Sequence, residues 1–141
     1  AMAIADRERD RFDALVEEAL AELPDALHDL LAEVPLVVID TPTDDILADL
    51  GLTTAEADEL CGLHTGVPDT ERGVEDGGML PPQIHLFRAG IISEAGGWGT
   101  VDWDDRPADD RVYEQIVITL LHEIGHQFGL DEDDLERLGY A

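Results

Sequence analysis

From Asp110 to Phe128 the apolar residues Val112, Ile116, Leu120, Ile124 and Phe128 recur at four-residue intervals, and Val117 and Leu121 widen the stripe. That spacing predicts one long amphipathic helix whose buried face is the central element of the core. The same helix carries His122-Glu123-Ile124-Gly125-His126, an H-E-x-x-H run. Residues four apart on a helix lie one above the other on a single face. Two imidazoles so placed can share one metal ion, and the carboxylate one step on from the first points at the ion's open position. His122 and His126 are therefore the expected metal ligands and Glu123 the expected catalytic base, with zinc as the cofactor.

A catalytic zinc takes three protein ligands and keeps a fourth position for water or substrate. The run continues Gln127-Phe128-Gly129-Leu130-Asp131-Glu132. Gly129 can adopt the positive φ that ends a helix and turns the chain back. A side chain three residues further on can then return to the metal, which makes Glu132 the expected third ligand. Asp131 and Asp133 are the alternative oxygen donors beside it. The stretch Asp131 to Asp134 also reads as the acidic first turn of a short last helix, with Asp131 as its N-cap.

A chain of 141 residues is long enough for one domain with a modest core. It carries 34 acidic residues against 8 basic ones, all Arg, for a formal charge of -26. Such a surface repels nucleic acid and anionic membranes, so neither is an expected partner. Its plain reading is a solvated acidic face. Cys61 stands alone, which excludes a disulfide framework and a cysteine metal cluster; it reads as a small buried hydrophobe. The N-terminal residues lack a basic stretch followed by an apolar one, and no apolar run would span a bilayer, so a cytoplasmic protein is expected.

Helical spacing of Phe12, Leu15, Val16, Ala19, Leu20 and Leu23 predicts a helix from Asp6 to about Glu22. Pro24 breaks it, and Leu27, Leu30 and Leu31 continue a second one. The β-branched run Val34 to Ile39 predicts a buried strand. Thr43 caps a helix that ends at Leu50 before Gly51, and Thr54 starts another through Leu60. From Gly62 to Pro82 the chain reads as one long loop, followed by a second strand in Ile84 to Arg88. Gly96 to Pro107, with Trp98 and Trp103, reads as a further loop. His28, His64 and His85 lie outside the motif and read as surface or capping residues, not ligands. Tyr140 reads as a packed terminal side chain that could also hydrogen-bond an oxyanion.

Residues spread over most of the length match a known family: Phe12, Val16 and Leu20, then Leu23-Pro24, and Val34 to Asp40. Gly62-Leu63, Thr65-Gly66-Val67-Pro68, Leu80-Pro81 and Ile84 to Arg88 follow. The most specific stretch is Thr119 to His126 with Phe128-Gly129-Leu130, Leu135 and Gly139-Tyr140. On these residues the chain resembles the bacterial zincin-like metallopeptidases, small proteins also called minimal zincins. The resemblance implies an α+β fold, with N-terminal helices and a small sheet packed on a C-terminal active-site helix. It implies zinc on His122 and His126, Glu123 as general base, and an acidic third position, often Asp, that falls on Glu132. It also implies a strand beside that helix to which a peptide substrate adds as a further strand, for which Ile84 to Arg88 is the candidate. The Met-turn of the metzincins is absent, since Met2 and Met79 both precede the motif.

Three readings of function follow. One is a zinc-dependent peptidase acting on a peptide or protein substrate. The second is a non-catalytic zinc-binding protein in which the metal ties the last helix to the body of the fold. The third is an acidic interaction module in which the H-E-x-x-H run is incidental.

Overall fold

The computed structural model describes residues 4–65, 82–97 and 106–137. Helix α1 (Asp6–Glu22) buries Phe12, Leu15, Val16 and Ala19, the face that the helical spacing marks out. Pro24 is the N-cap of α2 (Asp25–Leu31), where its missing N–H costs nothing. Strand β1 (Leu36–Ile39) is shorter than the apolar run that announces it, because the chain enters the sheet only after Pro35. Thr43 accepts a hydrogen bond from the Ile46 N–H and caps α3 (Asp44–Leu50), which Gly51 ends in the left-handed conformation. Helix α4 (Thr54–Ala57) begins where expected, with Thr53 and Glu56 forming a reciprocal capping box, but ends three residues before Leu60.

Two elements were not expected. Gly62 to Thr65, read as the start of a long loop, is strand β2 (Gly62–Thr65); the rest of that loop, 66–81, lies outside the described residues. Strand β3 (Gln83–Phe87) then passes without a turn into α5 (Arg88–Glu94), so Arg88 belongs to the helix and not to the strand. Trp98, Trp103 and Tyr140 also lie outside the described residues. Helix α6 (Arg106–Phe128) is longer at its start than the apolar stripe, and α7 (Glu132–Arg137) follows it.

The sheet order is β1-β3-β2, with β1 parallel and β2 antiparallel to β3. Strand β3 thus sits in the middle with both edges paired. This corrects the expectation that Ile84 to Arg88 offers a free edge to a peptide: its backbone groups already bond to neighbours on both sides. Alternation along β3 sends Ile84 and Leu86 into the core. Helix α6 runs through both halves of that core. Val112 and Ile116 pack with α1 and α5, while Leu120 and Ile124 pack with Leu23, Leu27 and Ile84, and all four α6 side chains are fully buried. Phe128, the last of the stripe, is only partly buried.

Charged groups tie the outer elements together. Arg9 on α1 donates to Asp40 just beyond β1, and Arg88 at the start of α5 donates both to Asp13 on α1 and to Asp40. The Arg9 guanidinium, with Arg88 behind it, holds the Asp40 carboxyl below its ordinary range. Arg11, on the other flank of α1, pairs with Asp109 on α6.

Candidate metal centre

Helix α6 presents the motif on three faces at once. Its core face holds Ile124; His122 and His126 are exposed on the opposite side; Glu123 lies between, buried against the sheet. The rings of His122 and His126 are 4.4 Å apart at their centres and inclined by 70°. Such a pair can offer one nitrogen each to a common ion.

Gly129 has φ +67°, the expected left-handed end of the helix, and the Leu130 N–H bonds back to the Gly125 carbonyl at 2.7 Å. These are the marks of a Schellman closure. The turn brings α7 alongside α6 and opens a groove of about 660 Å³ between them. His122, His126, Asp131, Glu132 and Glu136 line it together with Val117, Ile118, Leu121, Leu130 and Leu135. Among the three acidic candidates, Asp131 accepts the Asp134 N–H at 2.8 Å, and Asp134 accepts the Asp131 N–H at 3.0 Å. The N-cap role read from the sequence is thus present in Asp131. Asp133 is absent from the groove lining, whereas Glu132 is exposed in it. Among the described residues, no three His, Cys, Asp or Glu side chains converge into a ready-made cage. The donor set nonetheless suits a divalent metal of borderline softness: two imidazoles one turn apart, with the exposed Glu132 carboxylate in the same groove.

A residue that sequence reasoning placed elsewhere completes the site. His64, expected at the surface or in a cap, stands half-buried on β2 with its Nδ1 2.8 Å from Glu123 Oε1. With the carboxylate ionised, the oxygen can only accept and the ring nitrogen is then the donor. The same ring stacks on His126, with centres 5.1 Å apart and planes within 2° of parallel. The approach depends on Gly62, since a Cβ there would lie 2.7 Å from Thr119 Cγ2 and 3.0 Å from Glu123 Cγ. Gly62 and His64 are two apart on one strand, so both face α6. That alternation was the available signal, but the glycine and the surrounding loop-forming residues hid it.

A family model for zincin-like metallopeptidases matches residues 31–140. The chain belongs to the zincin-like metallopeptidase family. No curated protein matches it. In this zincin-like chain the matched span takes in β1 to α7 and leaves α1 outside. Membership implies a metal and a protein or peptide substrate. Among the described residues no helix is long and apolar enough to cross a membrane. His28, His85 and Cys61 do not line that groove. His85 is buried on β3, not at the surface as expected; burial lowers its affinity for a proton, and its Nδ1 has no partner among the described residues. Cys61 is partly buried as a small hydrophobe, and burial, with Glu94 and Glu123 nearby, pushes its thiol upward, which keeps it protonated.

Proposed function

We propose that this protein is a zinc-dependent peptidase that hydrolyses peptide bonds with Glu123 as general base. The observation that carries the reading is the division of labour on one helix: His122 and His126 open onto the groove while Glu123 is buried and held beside them. His122 and His126 hold the metal. Glu132 is the third ligand, favoured over Asp131, whose carboxylate caps α7, and over Asp133, which does not line the groove. A zinc ion held by these residues would supply Lewis-acid polarisation of the scissile carbonyl and would lower the pKa of a water molecule beside it. Glu123 takes the proton from the attacking water on its carboxylate and hands it to the departing amine nitrogen. The apolar walls of Val117, Ile118, Leu121, Leu130 and Leu135 exclude water beside the reacting bond and accept an apolar substrate side chain. The chain's charge of -26 favours neutral or basic peptides over acidic ones.

The test is the metal content of protein purified without chelators, with His126→Ala beside it, followed by a peptide-library screen using Glu123→Gln as control. One zinc per chain that vanishes in His126→Ala, with cleavage that vanishes in Glu123→Gln, is the expected result. Zinc bound but no peptide cleaved by the parent protein would leave a structural metal and sink the peptidase reading. A protein that takes up no added zinc would sink both.

A further inference from the structure

Of the polar side chains of the motif, Glu123 is the buried one. It is buried, its Cγ lies beside Gly62, and Oε1 has one protein partner among the described residues, His64. A general base must hold its oxygen within about 0.5 Å of the productive geometry, and a glutamate has three side-chain torsions to fix. The strand supplies two restraints at once. Gly62 brings the backbone wall against Cγ, and His64 fixes one carboxylate oxygen.

We infer that His64 is the positioning residue of the catalytic base: strand β2 holds its ring so that Nδ1–H anchors Glu123 Oε1 and leaves Oε2 to take the proton from water. The inference rests on the peptidase reading above. At 2.8 Å the contact has the length of a charge-assisted hydrogen bond, and the Glu123 side chain is only 9% exposed, so water competes weakly for it. His64 is not a further metal ligand. An imidazole offers its lone pair in the plane of the ring, so a ring stacked parallel on His126 does not aim at the same ion. The stack has a second effect, because it limits rotation of the His126 ring and so steadies a metal ligand through the same strand residue.

Two variants separate positioning from packing. His64→Phe keeps a flat ring against His126 and removes the donor. His64→Asn loses the ring but places an amide N–H near the position of Nδ1. In the zinc-loaded protein both variants keep one zinc per chain, with affinity within about threefold of the parent. His64→Phe lowers kcat about 100-fold with little change in KM, the loss that a misplacement of about 1 Å brings. His64→Asn recovers about tenfold of that loss. Equal kcat in the two variants, or a kcat unchanged from the parent, would overturn the inference, as would a tenfold fall in zinc affinity in His64→Phe, which would make His64 a ligand. If the parent cleaves no peptide, imidazole nitrogen–proton correlation spectra of the zinc-loaded protein still decide the point. His64 protonated on Nδ1 in the parent, with that preference lost in Glu123→Ala, supports the anchor. A ring protonated on Nε2 in the parent refutes it.

Discussion

Replacing Gly62 by alanine tests whether the approach of β2 to α6 is as tight as the site requires. The new Cβ would lie 2.7 Å from Thr119 Cγ2, 3.0 Å from Glu123 Cγ and 3.1 Å from the His85 carbonyl oxygen. Carbon atoms pack best at about 3.5–4.0 Å, so the strand must retreat by about 1 Å. Thr119 and Glu123 are both buried on a helix locked into the core, and the His85 oxygen belongs to the central strand, so none of the three moves freely. Overpacking of this kind costs about 1–3 kcal/mol. With a urea dependence of about 2 kcal/mol per molar, the unfolding midpoint should fall by about 0.5–1.5 M. The retreat carries His64 with it and lengthens its 2.8 Å contact with Glu123. Thr119→Ser keeps the hydroxyl that accepts from Gln115 Nε2 and deletes the methyl that clashes first. The double variant Gly62→Ala/Thr119→Ser should therefore be more stable than the sum of the single changes predicts, by about 0.5–1 kcal/mol. Urea unfolding of the parent, both single variants and the double variant measures that coupling. A Gly62→Ala protein within about 0.3 kcal/mol of the parent, with no coupling to Thr119, would refute the reasoning.

Two further outcomes are expected. Burial lowers the pKa of His85 below its ordinary 6.5, so the unfolded chain binds a proton that the folded chain refuses. Its contribution to stability is present above pH 6.5 and is lost as pH falls from there through the folded value; His85→Leu should flatten that limb in thermal melts between pH 7 and pH 5, and an unchanged limb would count against it. Asp40 is held below its ordinary 3.8 chiefly by Arg9, then by Arg88, so its contribution is present above pH 3.8 and disappears as pH falls through the depressed value. Asp40→Asn should cost about 1–3 kcal/mol near neutral pH and nothing in strong acid, so that urea midpoints of variant and parent converge there.

The parts of the fold written in one uninterrupted period were legible. Helix α1 has the bounds its apolar spacing predicts, and α6 has its stripe buried as expected apart from the last residue. Strand β2 was not legible, because four residues containing a glycine and a histidine have little strand preference of their own; pairing with β3 and contact with α6 make them a strand. Helix α5 was hidden for a different reason. It starts with no loop after β3, has Gly90 in its first turn, and buries Ala89, Gly90, Ile91 and Ile92 in succession rather than at helical intervals. At the candidate site, the placement of His122, Glu123 and His126 on one helix could be read from local spacing. The part played by His64 could not, since it exists only when the sheet sets β2 against α6. The acidic run after Gly129 carries two readings in sequence, and both have a place in the fold: Asp131 caps α7 while Glu132 faces the groove.

The strand order β1-β3-β2 also governs when the site can come into being. Strand β3 pairs in parallel with β1, and a parallel pair needs a crossover, which here contains α3, α4 and β2. Loop closure on that scale must be met before the pairing rewards it, so the sheet belongs to the slower, non-local class of folding events. The helix bearing the two exposed histidines can form early from local contacts. His64 and Glu123, 59 residues apart, meet only once the sheet has closed against that helix. A nascent or partly unfolded chain therefore carries the histidine pair without the His64–Glu123 contact, which arrives with closure of the sheet rather than with the helix.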